Sequence, residues 1–349
     1  MASTVSYYGV ALRNAGRFTE AVAEHERALA LREGVLGGDH PLVALSLNHL
    51  GRSLGDAGRP AEAAVLLARA LTIRERVWGP DHLELAETLI DIASNCSRAG
   101  DVEGAVRAGE RALGILERTY PGDHVETVIA LGELGRAQQS AGDLDAASAS
   151  FERALAMGTR IGERQSDLAV TQMNLGVVRM DQDRHDEAEA LVRAALVAFE
   201  REPEVNGYEI GSAAAALGEI VSRDDRWDEA EQLYTRALAA YERTLPPDHA
   251  ELSRPLLGLG MCHLHARRWA DAAKVLERSL ALVEGGGGEP AQRIIVRLHL
   301  ADAMVGLGDV EAAAAMVDRA RALAVEQGPL TADLVARADA WILEHRRRR

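Results

Sequence analysis

The chain of 349 residues has little of what several protein classes depend on. It has two cysteines, Cys96 and Cys262, too few for a disulfide framework, so we expect free buried thiols in a reducing compartment. Aromatic residues make up 4% of the chain and alanine is plentiful, which favours close-packed helices over sheets. Lys274 is the only lysine and lies within a helical pattern, which argues against a phosphate-loop or Schiff-base lysine.

Long apolar runs and an excess of positive charge are also missing. No stretch of about 18 uninterrupted apolar residues occurs, so we expect no membrane span. The N-terminus lacks a basic flank followed by an apolar run, which predicts no secretory signal and a cytoplasmic location. The 54 acidic and 39 basic side chains give a net charge of −15, which argues against a general nucleic-acid binder. The strong preference for arginine over lysine, together with the abundant alanine, suggests a bacterial protein.

The sequence does contain an internal repeat. A small residue recurs every 41 or 42 residues, an alanine follows it by 12 positions, and another small residue follows by seven more. The first of these positions is occupied by Gly9, Gly51, Ala93, Gly135, Gly176, Gly218, Gly260 and Ala301. The second is occupied by Ala21, Ala63, Ala105, Ala147, Ala188, Ala230, Ala272 and Ala313. This register predicts eight structural units of one kind.

Each unit has the pattern of two helices. In the second unit, apolar residues at three- and four-residue spacing predict helices over Leu42–Ala57 and Ala61–Val77. Gly58 between them suits the left-handed conformation at a helix C-terminus. An Asp-His pair precedes the first helix in four units, and we expect its aspartate to be the N-cap. These pairs are Asp39-His40, Asp81-His82, Asp123-His124 and Asp248-His249. No alternating strand pattern is present, so the predicted fold class is all-α.

These features resemble the tetratricopeptide repeat (TPR). The small-residue spacing of 12 and 7 is similar to that family's pattern, as are the aromatic residues Phe18, Trp227 and Trp269. The 42-residue length, the Gly-Asp-His opening and the Arg-Ala-Leu step resemble the kinesin light chain type. The resemblance covers about residues 3–328 and implies a right-handed α-solenoid of about eight helix-turn-helix units. In units five to seven the turn glycine is replaced by Asp183, Asp225 and Arg267.

The repeat also predicts the domain organisation. We expect one solenoid over residues 1–328, because each unit buries its apolar face only against its neighbours. The predicted units are 1–39, 40–81, 82–123, 124–164, 165–206, 207–248, 249–289 and 290–328. Gly285–Gly288 is predicted to be a flexible loop. Residues 329–349 are predicted to hold a capping helix over Leu330–His345, followed by the basic tail Arg346–Arg349.

Short patterns that match catalytic and metal-binding motifs occur in the chain, but the predicted structure around them does not suit those functions. Gly51–Gly55 matches the Gly-x-Ser-x-Gly elbow, but that motif needs a strand before it, whereas here it lies within a predicted helix. His263 and His265 are two residues apart on a helix and point about 200° apart, so they do not share a metal. The other recurrent histidines follow the repeat and are predicted to be architectural. We therefore expect no catalytic residue, no metal and no cofactor.

The resemblance implies that the first helix of each unit lines a concave, partner-binding groove. Its polar positions are Arg13, Asn14, Asn48, Arg52, Arg98, Arg136 and Gln139. Its apolar positions are Met173, Val177, Met180, Leu257, Met261 and Leu264. Two alternatives stay open at this point. The arginines could be ordinary surface residues paired with nearby carboxylates, and the apolar set could be buried by closure or self-association.

The sequence thus predicts a non-enzymatic scaffold or adaptor that holds a protein or peptide in its groove. Arginine and asparagine side chains suit an acidic peptide, and methionines accept its apolar anchors. We expect no nucleic acid and no membrane as partners, and self-association through exposed terminal repeats is a further expectation. The alternative is an enzyme or a small-ligand sensor with a site enclosed by the superhelix.

Overall fold

A computed structural model describes residues 1–204, 206–285 and 290–346 of the chain. By its internal contacts the chain forms two compact units, Met1–Gln182 and Asp183–Arg349. The expectation of one continuous solenoid stays a prediction. The described residues form seventeen α-helices and contain no strand, which confirms the all-α fold class.

The first unit consists of helices that pair in the order of the repeat. Its helices are α1 (Ala2–Asn14), α2 (Phe18–Leu36), α3 (Pro41–Asp56), α4 (Pro60–Trp78), α5 (Ala86–Ala99), α6 (Val102–Thr119), α7 (Val125–Ser140), α8 (Leu144–Ile161) and α9 (Gln165–Asp181). A single 3₁₀ turn, Leu83–Leu85, precedes α5. The odd-numbered helix of each pair carries the Leu-Gly-like step, and the even-numbered helix carries the buried alanines.

The second unit repeats the same construction. Its helices are α10 (His185–Phe199), α11 (Gly207–Arg223), α12 (Trp227–Thr244), α13 (Ser253–His265), α14 (Trp269–Gly285), α15 (Pro290–Gly306), α16 (Val310–Glu326) and α17 (Ala332–Arg346). Short 3₁₀ turns at Ala250–Leu252 and Gly328–Thr331 precede α13 and α17. Of the loop predicted at Gly285–Gly288, residues 286–288 lie outside the described residues, as do residues 347–349 of the basic tail.

The small residues of the repeat lie where the two helices of a pair cross. A Cβ added to Gly51 would lie 2.8 Å from Leu67, and one added to Gly135 would lie 2.7 Å from Phe151. These distances are shorter than van der Waals contact, so a side chain at Gly51 or Gly135 would require its neighbour to move. The alanines in register 12 residues later, such as Ala63, have no exposed surface. The repeat register therefore marks the core of each pair.

The helix N-termini differ from the prediction. The N-cap of α3 is His40, whose Nδ1 accepts a hydrogen bond from the backbone N–H of Leu42 at 3.1 Å. His82, His124 and His249 accept the equivalent bond in their repeats. The expectation that the preceding aspartate caps the helix is wrong, because that aspartate stands one residue too early. In three of the four repeats it pairs instead with an arginine 37 residues later, as Asp39 does with Arg76 at 2.6 Å.

The turn between the two helices of a pair requires a left-handed residue. In the first unit this residue is a glycine, and Gly58 and Gly100 both have φ +75°. Asp183, Asp225 and Arg267 occupy the same turn and have φ values of 57° to 59°. The turn geometry is thus retained by residues for which a positive φ costs conformational energy.

Ion pairs join consecutive even-numbered helices of the first unit. They link Arg69 of α4 to Glu33 of α2, Arg111 of α6 to Glu75 of α4, and Arg153 of α8 to Glu117 of α6. Their N–O distances lie between 2.5 and 2.7 Å. Each arginine belongs to the Arg-Ala-Leu step, so the step supplies both a buried alanine and an outer ion pair. We call this set the arginine–glutamate ladder.

The last helix packs on the final helix pair of the second unit. Ala338 and Trp341 of α17 join a buried cluster that includes Leu298 of α15 and Val317 of α16. The indole Nε1 of Trp341 donates a hydrogen bond to Asp302 at 2.7 Å. The helix therefore covers apolar surface that the repeat itself leaves open.

Candidate functional site

The odd-numbered helices of the first unit lie side by side. Helices α1, α3, α5 and α7 each contact the next odd-numbered helix of this unit, in addition to the even-numbered helices between them. Side chains that point away from the even-numbered helices therefore share one face. This face carries three adjoining depressions, which together we call the first-unit groove.

The first depression, the arginine pocket, has a volume of about 370 Å³. It is lined by one arginine from each of four helices, together with three carboxyl groups and several amide and hydroxyl groups. The arginines are Arg13 of α1, Arg52 of α3, Arg98 of α5 and Arg136 of α7. The polar residues beside them are Asn14, Asp56, Asp91, Ser94, Asn95 and Glu133. Five residues that the sequence predicts for the groove thus meet in one place.

Two of the four arginines have close carboxylate partners and two do not. Arg136 forms an ion pair with Glu133 in its own helix. Arg98 donates to Asp56 Oδ1 at 2.8 Å, and Arg13 Nε lies 3.8 Å from the other oxygen of Asp56. Arg52 Nε lies 3.3 Å from Asp91, and one Nη of Arg52 lies 3.8 Å from Glu87. These separations at Arg13 and Arg52 are longer than charge-assisted hydrogen bonds. Most of the N–H groups on these two arginines are therefore available to a ligand.

Burial and neighbouring positive charge both disfavour the charged form of Arg13. Burial lowers the pKa of Arg13 from its ordinary value, and the neighbouring Arg52 guanidinium lowers it further. Asp56 and Asp91 act in the opposite direction but do not reverse the shift. A guanidinium whose charge is disfavoured in this way gains from an added anion.

A buried polar network lies beneath Arg52. Asp91 is 8% exposed, and Asn48 Nδ2 donates to its Oδ2 at 3.2 Å. Thr88 donates to Asn48 Oδ1 at 3.2 Å and accepts from Arg74 at 2.7 Å. Burial raises the pKa of Asp91 to about 7, although the Arg52 guanidinium acts in the opposite direction.

Asn48 is therefore not a direct contact for a partner. It has no exposed surface, and its amide is used in the network with Asp91 and Thr88. The prediction that Asn48 lines the accessible groove is wrong, because the outward position in this helix turn faces α5. Gln139 is partly exposed and donates to Asp181 of α9 at 3.4 Å, so it links two odd-numbered helices.

The second depression is acidic. It has a volume of about 480 Å³ and adjoins the arginine pocket at Arg52, Ile90 and Asp91. We call it the acidic flank, after the glutamates that line it: Glu84, Glu87 and Glu126. Each of these side chains is exposed, so the flank is open to a partner's cations.

The third depression is largely apolar. It has a volume of about 380 Å³ and adjoins the arginine pocket at Glu133 and Arg136. We call it the apolar flank, after its residues Val125, Ile129, Leu168 and Val170. Its Thr171 and Asn174 supply polar groups beside this surface.

Ile129 lines all three depressions, and the sequence analysis does not single it out. Its side chain is 50% exposed, which is unusual for an isoleucine at the centre of a helix face. A signal for it exists in the sequence. Ile129 precedes Arg136 by seven residues, two helical turns, so both side chains point to the same side of α7.

The predicted methionine-rich set is less accessible than expected. Met173 and Val177 of α9 are partly buried, and Met180 is only 3% exposed. The prediction that Met180 accepts a partner's side chain is therefore wrong, because its neighbours in the helix packing already cover it. In the second unit, Met261 is partly buried, and Leu257 and Leu264 pack on the core cluster around Leu276.

Metal ligands and membrane-spanning segments are not found in the part of the chain that the structure describes. No three histidine, cysteine or carboxylate side chains come together there in a way that holds a metal ion. No helix within 1–204, 206–285 and 290–346 combines the length and apolar character needed to cross a bilayer. Cys262 is buried, whereas Cys96 is partly exposed.

Three solved structures with similar folds share 14–21% sequence identity with this chain. Kinesin light chain TPR-like repeats from Podosopora anserina match with 21% identity over 56% of this chain and 93% of theirs, with a TM-score of 0.48. BtubC (BKLC) from P. vanneervenii matches with 20% identity over 65% of this chain and 92% of its own, with a TM-score of 0.56. The Cut9-Hcn1 hetero-tetramer matches with 14% identity over 95% of this chain and 54% of that chain, with a TM-score of 0.65.

The sequence itself has no significant match among curated proteins. The family model of the tetratricopeptide repeat matches residues 1–76, 57–118, 110–160, 167–243 and 209–285. These matches span most of the chain and agree with its helix pairs, its buried alanines and its 42-residue register. The chain belongs to the tetratricopeptide repeat family.

Proposed function

We propose that the protein is a non-enzymatic scaffold that binds a protein or peptide partner in the first-unit groove. The observation that carries this proposal is the meeting of Arg13, Arg52, Arg98 and Arg136 in one open pocket. Four repeats each contribute one cation, and among the described residues no carboxylate forms a close hydrogen bond with Arg13 or Arg52. An anionic group of a partner is the complement of this arrangement.

The apolar flank supports a peptide rather than a free small anion. Ile129 and Val170 are exposed beside the pocket, and their burial by a partner's apolar side chain is favourable. One similar structure, Cut9-Hcn1, is a hetero-tetramer, so this fold assembles with a second protein in that case. The composition supports a cytoplasmic, bacterial setting. Self-association through terminal repeats stays a prediction.

Peptide selection on the purified protein tests the proposal. A random peptide display library is selected on the wild type and on the double variant Arg52→Ala, Arg136→Ala. We expect the double variant to bind the selected peptides at least about tenfold more weakly, because a charge-assisted contact contributes about 1.5–3 kcal/mol. Binding should also weaken as salt is added.

The matched control removes two arginines from even-numbered helices. Arg27 of α2 and Arg107 of α6 are exposed, and each forms an ion pair with a glutamate of its own helix. The variant Arg27→Ala, Arg107→Ala makes the same change in net charge and should retain full binding. If it loses binding while the groove variant does not, the groove assignment is wrong.

A further inference from the structure

The arginine pocket has more positive charge than its own carboxyl groups balance. Four guanidinium groups face Asp56, Asp91 and Glu133. Asp91 is buried beneath Arg52 and carries only part of a charge near neutral pH. The residues that line the pocket therefore carry an excess of one to two positive charges, and Glu87 of the adjoining flank lies 3.8 Å from Arg52. A ligand group with two negative charges balances this excess better than a single carboxylate does.

Donor geometry favours the same kind of group. Guanidinium groups from four helices surround a space of about 370 Å³, and most N–H groups of Arg13 and Arg52 have no close acceptor within the described residues. A carboxylate offers two oxygens in one plane, whereas a phosphoryl group offers three arranged around a tetrahedral centre. Three oxygens suit donors that approach from several helices rather than from one side.

Resting on the proposed function, we propose that the groove recognises a phosphorylated side chain of a partner peptide, with a basic residue on one side of it and an apolar residue on the other. The phosphoryl group occupies the arginine pocket. The basic residue faces the acidic flank, which adjoins the pocket at Arg52 and Asp91. The apolar residue faces the apolar flank, which adjoins the pocket at Glu133 and Arg136.

The two flanks argue for a peptide rather than a nucleic acid. A nucleic-acid backbone carries a phosphate at every nucleotide, and Glu84, Glu87 and Glu126 would repel the phosphates on that side. The chain's net charge of −15 adds to this repulsion. A phosphopeptide carries a single dianionic group, and the residues on either side of it are basic or apolar. This order matches the groove, where the arginine pocket lies between the acidic flank and the apolar flank.

The test uses oriented peptide libraries on the purified full-length protein. Three libraries carry phosphoserine, glutamate or alanine at a fixed centre, with random flanking positions. We expect the phosphoserine library to be captured about tenfold better than the glutamate library. Among captured phosphopeptides, we expect arginine or lysine on one side of the centre and leucine, isoleucine or valine on the other.

Two variants test which side chains produce the preference for phosphoserine and which produce the preference for basic residues. Arg52→Ala, Arg136→Ala should abolish the preference for phosphoserine. Glu84→Gln, Glu87→Gln, Glu126→Gln should remove the preference for basic residues and should change the preference for phosphoserine far less than the arginine variant does. Single-stranded RNA and heparin are measured in parallel, and we expect both to bind more weakly than the selected phosphopeptide.

The outcomes separate this inference from the proposed function. If the glutamate and phosphoserine libraries are captured equally and the arginine variant captures neither, the phosphoryl assignment is wrong. The proposed peptide-binding function of the groove is then still supported. Unchanged basic selection in the glutamine variant would overturn the assignment of the acidic flank. No library captured above the alanine control would overturn both, and tighter binding of RNA would overturn the choice of a peptide.

Discussion

Arg98 of α5 donates a hydrogen bond to Asp56 of α3 at 2.8 Å, and the two residues are 42 positions apart, one full repeat. Asp56 also lies 3.8 Å from Arg13, so a single carboxylate stands between two of the four pocket arginines. It acts as an internal competitor for any anionic ligand. Its removal should therefore strengthen ligand binding.

We predict that Asp56→Asn raises the affinity for a selected anionic peptide several-fold. The amide retains the size of the side chain but no longer neutralises Arg13 and Arg98. Titration by fluorescence anisotropy measures the change. Glu62→Gln on α4 is the matched control, since Glu62 pairs with Arg59 in its own turn and should leave affinity unchanged. Weaker binding by Asp56→Asn would show that Asp56 positions the arginines instead of competing.

Asp91 should make the free energy of unfolding depend on pH. Burial raises its pKa from 3.8 to about 7 in the folded chain. The folded state therefore binds more protons than the unfolded state between these values, so this stabilising contribution is present below pH 4 and is lost as pH rises through 7. Asp91→Asn should remove it. Urea unfolding between pH 4 and 8 measures the difference, and parallel profiles for variant and wild type would contradict the prediction.

Two histidines of the first unit should make the free energy of unfolding depend on pH in the opposite direction. His25 and His49 have ring centroids 5.4 Å apart, and burial lowers the pKa of each from 6.5 to about 4. The unfolded state binds the extra protons, so stability is complete above pH 6.5 and is lost as pH falls through 4. Neither ring nitrogen of His25 has a hydrogen-bond partner among the described residues.

We therefore predict that His25→Leu stabilises the chain by about 1 kcal/mol or more at pH 7 and further at pH 5, because it removes unsatisfied buried polar atoms. Leucine occupies the equivalent position at Leu67 and Leu276, where it packs against Gly51 and Gly260. Thermal unfolding at both pH values measures the effect. A loss of stability at pH 5 would mean that His25 is hydrogen-bonded in solution.

Arg267 should be replaceable by glycine with a gain in stability. Its φ of 57° costs a residue with a side chain about 1–2 kcal/mol, and the greater freedom of glycine in the unfolded chain offsets part of this gain. We expect Arg267→Gly to stabilise by about 0.5 kcal/mol. The reciprocal change, Gly58→Arg in the first unit, should destabilise by a larger amount. Urea unfolding of both variants checks the pair, and equal stabilities would mean that this turn relaxes freely.

The parts of the fold that depend on residue size were predictable from the sequence. Gly51 and Ala63 recur in register because the crossing of two helices admits only small side chains, so spacing alone reveals them. The turn glycines were predictable for a related reason, because the positive φ of this turn favours a residue without a side chain.

The errors concern residues whose role depends on three-dimensional neighbours. His40, not Asp39, caps α3, because both are chemically able to cap and only the backbone path decides between them. Asn48 and Met180 face outward by helix count but are covered by adjacent helices. Ile129 was missed because an exposed isoleucine and a core isoleucine look alike in one sequence.

The arginine–glutamate ladder has a consequence for how the first unit unfolds. Each ladder pair joins one repeat to the next, as Arg111 joins α6 to α4, and each lies on partly exposed side chains. Salt screens the ion pairs that couple neighbouring repeats, whereas it does not screen the packing of the buried alanines within each helix pair. Added salt should therefore lower the cooperativity of unfolding more than the stability of the separate repeats, so the transition broadens and neighbouring repeats open independently.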